Sequence, residues 1–350
     1  MLIVMRAEAT AGEVSEVCAA IARRGFEARP IPGGLRTAIG VVGNQGALDR
    51  GLFEGLPGVL ECIPVSAPYK LVSRELHPAS TVITLPNGAR IGGADVCVMG
   101  GPCAVESEDQ IHEVAAYVAA AGGTVLRGGA YKPRTSPYSF QGHGVPGLRM
   151  MRAAADAHGL AMVTEAVDQE SADHVAEYAD IIQMGARNMQ NFSLLRHVGQ
   201  LRKPVIVKRG LSATVQEWLL AAEYVMNGGN DQVILCERGI RSFDPATRNV
   251  LDLAAMALAR GLSHLPVIAD PSHGTGVRDM VGPMARAAVA AGADGVIVET
   301  HPRPAEALSD GHQALVPAQF ATMVRELEQI AAVLGRRVSR AEGIVVAAAR

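Results

Sequence analysis

Eight short apolar segments, each bounded by glycine or proline, constrain the fold of this chain more than any other feature. They cover residues 95–99, 124–126, 161–164, 181–184, 205–207, 233–235, 267–269 and 295–298. Between them, stretches such as 107–121, 146–157, 214–228 and 279–291 carry apolar residues at helical spacing and end near glycine. Eight strand and helix units in alternation predict an α/β fold, a (β/α)8 TIM barrel. A doubly wound open sheet is the alternative.

The segment before the barrel has a different order of elements. It predicts strand 2–6, helix 11–24, strands 26–31 and 36–42, helix 47–56 and strand 59–65. This β-α-β-β-α-β order is that of a small ferredoxin-like unit. Because the segment holds no catalytic constellation, we expect it to bind a ligand or to dock against protein and not to catalyse a reaction. We therefore divide the chain into a ferredoxin-like domain (1–70), a linker with a hairpin at Pro86-Asn87-Gly88 (71–92), a barrel (93–338) and a C-terminal tail (339–350).

Composition excludes several classes of protein. The net charge of −3 over 350 residues provides no concentrated basic surface, which predicts neither a nucleic-acid nor a membrane partner. Five cysteines, an odd number without the spacing of a small disulfide scaffold, suit a reducing compartment. The chain shows no signal peptide and no apolar stretch long enough to span a bilayer. A cytoplasmic location is the expectation.

The residues that follow the eight predicted strands are unusually polar. A barrel active site is assembled from these carboxyl ends. In strand order they are Cys103; Arg127 and Lys132; Glu165; Gln183 and Arg187; Lys208 and Arg209; Glu237 and Arg238; Asp270 and His273; Glu299 and His301. We therefore expect a polar site at this end of the barrel.

Two groups within this set have a chemical interpretation. Cys103, His273, Glu299 and Asp310 offer one sulfur, one imidazole and two carboxylates, a donor set suited to a divalent first-row metal. Their wide separation in sequence leaves alternatives open: a buried structural thiol, a loop histidine and a turn aspartate.

The second group is cationic. Three cations and two hydroxyls crowd into residues 126–136, directly after a predicted strand, and further cations lie at three other strand ends. A phosphate monoester carries nearly two charges, so it needs several converging donors. The set Arg127, Lys132, Arg187, Lys208 and Arg238 therefore predicts a phosphorylated substrate, although any single member could be an ion-pair partner at the barrel rim.

At these residues the chain resembles the 3-deoxy-7-phosphoheptulonate (DAHP) synthases, in the subfamily with an N-terminal ferredoxin-like regulatory domain. The resemblance runs from about residue 98 to 334. It rests on these motifs: Gly101-Pro-Cys-Ala-Val-Glu, Leu126-Arg-Gly-Gly-Ala-Tyr-Lys-Pro-Arg-Thr-Ser-Pro, Gln183-Met-Gly-Ala-Arg-Asn-Met-Gln-Asn, Lys208-Arg-Gly, Cys236-Glu-Arg-Gly-Ile-Arg, Asp270-Pro-Ser-His-Gly-Thr-Gly and Glu299-Thr-His-Pro.

The resemblance implies condensation of phosphoenolpyruvate with erythrose 4-phosphate, the first step of the shikimate route to aromatic amino acids. By residue, it implies the metal ligands Cys103, His273, Glu299 and Asp310, and the phosphoenolpyruvate-binding residues Arg127, Lys132, Arg187, Lys208 and Arg238. It places Glu165 nearby and assigns Pro133, Arg134, Thr135 and Ser136 to erythrose 4-phosphate. Lys132, Cys103 and His273 are the implied catalytic residues.

The resemblance also sets expectations for cofactor and partners. The metal would be Mn²⁺, with Co²⁺, Fe²⁺, Zn²⁺ or Cd²⁺ as alternatives. The expected effector is tyrosine or phenylalanine, bound by the N-terminal domain, and the expected assembly is a homotetramer.

Three alternatives stay open at this point. One is 3-deoxy-manno-octulosonate 8-phosphate synthase, whose equivalent loop resembles Lys-Ala-Asn-Arg where this chain has Lys132-Pro133-Arg134. Another is a Schiff-base aldolase that uses Lys208 or Lys132. The third is a non-catalytic amino-acid sensor.

Overall fold

The structure, a computed structural model, describes residues 1–33, 36–44, 48–63, 68–134 and 136–341. The chain forms two compact units. One comprises Met1–Ala79 with Leu262–His264, and the other comprises Ser80–Gly261 with Leu265–Arg350. In the described part of the chain, no helix combines the length and apolar character that crossing a membrane requires.

The N-terminal unit is a four-stranded antiparallel sheet with one long helix. Its elements are β1 (Leu2–Met5), α1 (Ala11–Arg23), β2 (Glu27–Pro32), β3 (Thr37–Val42) and β4 (Val59–Ile63). The sheet order is β2-β3-β1-β4. The strands β1 and β3 lie in the centre and β2 and β4 at the edges, as the ferredoxin-like prediction requires. Ile3, Val17, Ile21 and Phe53 are buried in one core between sheet and helix.

The second predicted helix of this unit, over 47–56, is wrong for the residues that the structure describes. Only a 3-10 turn, Arg50–Leu52, forms there, with Asp49 accepting a hydrogen bond from the Gly51 amide. Gly51, Gly55, Pro57 and Gly58 lie in or directly after this stretch. Glycine and proline are the two poorest helix formers, so the apolar spacing there is not enough to sustain a helix.

The second unit contains the predicted eight-stranded parallel barrel. Its strands are β7 (Asp95–Gly101), β8 (Val125–Arg127), β9 (Ala161–Ala166), β10 (Ile181–Met184), β11 (Val205–Lys208), β12 (Val233–Glu237), β13 (Val267–Ala269) and β14 (Gly295–Glu299). Neighbours pair in sequence order, and β14 pairs with β7 in parallel register, Gly295 with Cys97 through Glu299 with Gly101. The barrel is therefore closed, and the open-sheet alternative is wrong.

Helices follow the strands at the predicted places. They are α2 (Glu108–Ala120), α3 (Val145–Ala157), α4 (Gln169–Tyr178), α5 (Phe192–Gln200), α6 (Val215–Asn227), α7 (Leu253–Leu262), α8 (Pro271–Thr275), α9 (Arg278–Ala290) and α10 (Pro317–Val333). Side-chain caps fix several starts: Ser107 accepts from the Gln110 amide, and Thr214 forms a capping box with Glu217.

A short hairpin precedes the barrel, as the Pro-Asn-Gly turn predicts. Its strands, β5 (Ile83–Thr84) and β6 (Arg90–Ile91), pair in antiparallel fashion. Ile83 and Ile91 share one buried cluster with Cys97 on β7 and Val125 on β8. The hairpin therefore packs against the amino ends of the strands, and the barrel interior is a filled core.

The end of the chain adds one more strand to the outside of this unit. The two-residue strand β15 (Arg337–Val338) pairs in parallel with β7. Most of the predicted tail, residues 342–350, lies outside the described residues. We keep the predicted division at residues 70, 92 and 338 as a proposal.

Candidate active site

A cavity of about 320 Å³ lies at the carboxyl ends of the barrel strands. Most of the predicted site residues line it, namely Arg127, Lys132, Pro133, Arg134, Ser136, Glu165, Arg187, Lys208, Arg238, His273 and Asp310. Cys103 and Glu299 are buried, with 4% and 0% of their surface exposed. Thr135 lies outside the described residues. Residues from all eight strand ends therefore meet in one place, as a barrel site requires.

The four predicted metal ligands converge at one edge of the cavity. One ligand atom from each of Cys103, Glu299 and Asp310 lies within 4.8 Å of the other two. The His273 Nε2 atom lies 3.4 Å from Glu299 Oε1. The Cys103 thiol also contacts Asp310 Oδ2 at 3.4 Å and the Ser309 hydroxyl at 3.0 Å. A sulfur, an imidazole and two carboxylates thus form one compact group of metal-binding types.

Backbone pairing brings the two buried ligands together. Glu299 ends β14 and is paired in register with Gly101, which ends β7 and precedes Cys103 by two residues. On the other side of β7, a Cβ atom at Gly101 would collide with the backbone oxygen of Arg127, so β7 and β8 approach this closely only with glycine there. Asp310 follows in the next loop with a left-handed backbone (φ 50°), a conformation that costs a non-glycine residue about 1 kcal/mol.

His273 is oriented by a buried carboxylate. Asp270 caps α8, accepting from the His273 amide at 2.9 Å and lying 2.8 Å from its Nδ1 atom. Lys208 Nζ lies 2.5 Å from the same carboxylate. Burial alone would raise the pKa of Asp270, but His273 and Lys208 hold it well below its usual value. With Nδ1 engaged by Asp270, Nε2 is left to face Glu299.

Two predicted cations contact the ligand group directly. Lys132 Nζ donates to the Cys103 carbonyl oxygen at 2.7 Å and lies 3.0 Å from its sulfur. Arg127 donates to Glu299 Oε1 at 3.1 Å, and its Nε atom is buried without a hydrogen-bond partner among the described residues. Burial would raise the pKa of Glu299, whereas His273 and Arg127 lower it to about 2. The carboxylate is therefore charged at neutral pH.

Positive charge dominates the cavity wall. Seven lining side chains are arginine or lysine, and two are carboxylates, Glu165 and Asp310. The cations are Arg127, Lys132, Arg134, Arg187, Lys208, Arg238 and Arg248. Burial lowers the pKa of Arg238, with Asp270 opposing that shift. An enclosed excess of cations of this kind attracts and holds anions.

The loop after β8 forms another part of the wall. The Lys132 amide donates to the Gln141 carbonyl at 3.0 Å, and Arg134 Nε donates to the Phe140 carbonyl at 3.0 Å. These bonds fold the loop back on itself and hold the Arg134 guanidinium through its Nε atom. The guanidinium remains in the cavity wall with Ser136.

Glu165 lies among these cations with little freedom. Its Oε2 atom accepts from Gln183 Nε2 at 3.2 Å. A Cβ atom at Gly185 would collide with Glu165 Oε1, so the absence of a side chain there makes room for the carboxylate.

Several polar strand-end residues lie away from the cavity. Arg209 and Glu237 pair with each other at 2.9 Å, both almost fully buried, and His301 faces Glu106 at 3.4 Å. Side chains alternate between the two faces of a strand, so Arg209 and Glu237 point to the opposite face from their neighbours Lys208 and Arg238. The strand-end prediction could not separate the two faces, because it considered only position along the chain.

Sequence reasoning missed two polar side chains of the cavity wall, Arg248 and Ser139. Both lie in long loops, Arg248 eleven residues beyond the end of β12 at Glu237. Neither position directly follows an apolar segment, so the signal that identified the other residues is absent.

Comparison with protein families matches both parts of the chain. Residues 80–334 match the model of the DAHP synthetase I family, and residues 1–67 match the DAHP synthase ferredoxin-like domain.

Individual relatives agree with these matches. A phospho-2-dehydro-3-deoxyheptonate aldolase of Thermotoga maritima is 48% identical over 339 residues, covering 97% of this chain and all of the relative. A solved structure of that enzyme from the same organism superposes with a TM-score of 0.77, at 47% identity and over 96% of this chain and 98% of that one. A 2-dehydro-3-deoxyphosphooctonate aldolase of Acidithiobacillus ferrooxidans is 32% identical, over 67% of this chain and 88% of the relative.

Proposed function

The chain belongs to the DAHP synthetase I family, and from this premise we propose that it condenses phosphoenolpyruvate with erythrose 4-phosphate and releases phosphate. The product would be the seven-carbon acid that opens the route to aromatic amino acids. The observation that carries the proposal is that a cluster of metal-binding residues, Cys103, Glu299 and Asp310 with His273 beside Glu299, meets seven cations at one barrel-end cavity. Two anionic substrates and an electrophilic catalyst need that combination.

The donor set fits a divalent metal. Cys103, Glu299 and Asp310 are already within ligand-sharing distance, and His273 faces Glu299 with its Nδ1 atom engaged by Asp270. Burial raises the pKa of the Cys103 thiol to about 12, with the Glu299 charge adding to the shift. A buried thiol beside two carboxylates is costly to ionise even with the Lys132 ammonium 3.0 Å away, and a metal ion bound to the sulfur would offset that cost. We propose Mn²⁺ as the ion, with Co²⁺, Fe²⁺, Zn²⁺ or Cd²⁺ as alternatives.

A metal held there would supply Lewis-acid polarisation of the aldehyde of the sugar. The residues of the chain perform the rest. Arg127, Arg187, Lys208 and Arg238 would hold the phosphate and carboxylate of phosphoenolpyruvate through charge-assisted hydrogen bonds. Arg134, Thr135 and Ser136, with Pro133, would hold the phosphate of the sugar. These cations would keep the two anionic substrates close enough for C3 of phosphoenolpyruvate to attack the aldehyde, despite the repulsion between their charges.

Two further residues, Lys132 and Glu165, would manage protons and water. As C3 of phosphoenolpyruvate attacks the aldehyde, positive charge develops at C2 and the aldehyde oxygen takes up a proton. Water adds at C2 with loss of one proton, and the hydroxyl formed there becomes the ketone as the C–O bond breaks and phosphate leaves with the second proton. Lys132 Nζ, beside the ligand group, would transfer a proton to the nascent hydroxyl. Glu165, held by Gln183 among the cations, would hold the attacking water.

The choice of sugar separates this proposal from the phosphooctonate alternative, and the comparisons do not favour the latter because its relatives are less similar and cover less of the chain. We expect phosphoenolpyruvate loss to be at least about tenfold faster with erythrose 4-phosphate than with arabinose 5-phosphate, one tenfold step being 1.4 kcal/mol of discrimination. Each sugar is offered to the same metal-loaded protein, and the loss of phosphoenolpyruvate is followed by its absorbance. Faster consumption with the pentose would overturn the proposed substrate.

Neither lysine has surroundings that suit a Schiff-base aldolase. That mechanism needs a neutral amine, whereas Lys208 is paired with buried Asp270 and Lys132 lies beside the ligand group. A Schiff-base enzyme would become covalently labelled when borohydride is added in the presence of either substrate, and we expect no label.

We propose that residues 1–70 regulate the barrel and that tyrosine or phenylalanine is the effector, in a homotetramer. The match of this part of the chain to the DAHP synthase ferredoxin-like domain supports a role tied to this enzyme family. A protein lacking residues 1–70 should keep turnover and lose inhibition by these amino acids. Inhibition that survives the deletion would contradict the assignment.

A further inference from the structure

Arg248 lies in the cavity wall and contacts two of the segments that carry the proposed ligands. Its NH1 atom donates to Gln313 Oε1 at 3.1 Å and lies 3.7 Å from Asp310 Oδ1. Gln313 in turn donates from Nε2 to Glu299 Oε2 at 2.5 Å. One guanidinium therefore touches one acidic ligand directly and reaches the other through an amide.

The contacts divide the oxygens of Asp310 between two neighbours. Oδ1 faces Arg248, whereas Oδ2 lies 3.4 Å from the Cys103 sulfur. A cation at ion-pair distance from Oδ1 favours the rotation of the carboxylate that directs Oδ2 at Cys103. The Asp310 backbone is left-handed, and Arg278 holds its loop by donating to the carbonyl oxygens of Gly311 and Ala314. These contacts hold the backbone, so the orientation of the Asp310 side chain depends on its own neighbours, Arg248 among them.

The backbone of Arg248 is tied to the third ligand-bearing segment. Its amide donates to the Thr275 carbonyl at 2.8 Å, and the next side chain, Asn249, donates to the His273 carbonyl at 2.9 Å. Gly276, with φ 68°, leaves space for the Arg248 side chain, because a Cβ atom there would lie 2.5 Å from that of Arg248. The backbone of Arg248 is therefore fastened to the segment that carries His273.

From these contacts we infer that Arg248 is a positioning residue for the proposed metal site. It holds Asp310 directly and Glu299 through Gln313, while its backbone is fastened to the segment of His273. This inference rests on the proposed metal-dependent function. Partly exposed ion pairs contribute little to folding, and the Arg248 side chain is 36% exposed, so the effect of its loss should fall on metal affinity. Partners that orient metal ligands typically change metal affinity by about 10- to 100-fold.

The test is titration of metal-free, full-length protein with Co²⁺, read by the thiolate-to-cobalt absorption that reports Cys103 as a ligand. Arg248→Gln should weaken Co²⁺ binding about 10- to 100-fold, with an unchanged melting temperature of the metal-free protein. Arg248→Lys should recover part of the loss, because an ammonium can face Asp310 but cannot bridge to Gln313 in the same geometry.

Arg303→Gln is the matched control. Arg303 lies in the same loop as Asp310, is half exposed and pairs with Glu113 and Glu306, outside the cavity. Its loss should leave Co²⁺ affinity unchanged. Wild-type affinity in Arg248→Gln, or a change confined to the KM of the sugar, would overturn the inference. Failure of the wild-type protein to bind Co²⁺ with this absorption would instead overturn the metal site itself.

Discussion

Lys132→Met should lower kcat by about 10³-fold, within the range for loss of a positioned proton donor. The Nζ atom of Lys132 lies 3.0 Å from the Cys103 sulfur and 2.7 Å from the Cys103 carbonyl oxygen, at the edge of the cavity. Methionine keeps the length of the side chain and removes both the charge and the proton. Steady-state kinetics in phosphoenolpyruvate and erythrose 4-phosphate measure the effect on kcat and on each KM.

Lys203→Met provides the control for charge and shape. Lys203 also donates to a backbone carbonyl, that of Ala179 at 3.0 Å, but it precedes β11 and so lies at the amino end of the barrel. We expect its turnover to equal that of the wild type. A Lys132 variant that retains wild-type kcat would remove this residue from the chemistry.

Cys103→Ala should abolish stoichiometric metal binding and reduce turnover by at least about 10²-fold, because losing a ligand costs more than losing a partner that orients one. The thiol is the only soft donor in the group that it forms with Glu299 and Asp310. Elemental analysis of the purified protein gives the bound metal, and phosphoenolpyruvate loss gives the turnover.

Cys97→Ala separates the loss of a ligand from the loss of a buried thiol. Cys97 lies on β7, the strand that precedes Cys103, is fully buried and contacts the Thr124 hydroxyl at 3.5 Å in the barrel core. Each variant loses one buried sulfur atom, so both proteins should lose some stability. Only Cys103→Ala should lose metal. Full metal content in Cys103→Ala would return this residue to the structural interpretation that the sequence left open.

The apolar segments of the barrel were sufficient to predict all eight strands, because each is buried on both faces and contains few polar residues. The second predicted helix of the N-terminal unit, by contrast, does not form in the residues that the structure describes. Its apolar spacing is helical, yet Gly51 and Gly55 lower the intrinsic stability that a short helix needs.

The candidate site shows a similar division. Residues directly after strands were predicted, and most of them line the cavity. Position along the chain does not tell which way a side chain points. Lys208 and Arg209 are neighbours, yet Lys208 lines the cavity and Arg209 pairs with Glu237. Arg248 was missed because its role depends on contacts with Gln313 and Asp310, some sixty residues later in the chain.

The central claim is that this cavity works through a metal held by Cys103, His273, Glu299 and Asp310. The most direct measurement is phosphoenolpyruvate consumption, with erythrose 4-phosphate, by wild-type protein stripped of metal with a chelator and verified by elemental analysis. We expect a rate of about 1% or less of the loaded protein, since Lewis-acid polarisation contributes several kcal/mol, and recovery on addition of Mn²⁺. Full turnover by the verified metal-free protein would contradict the account.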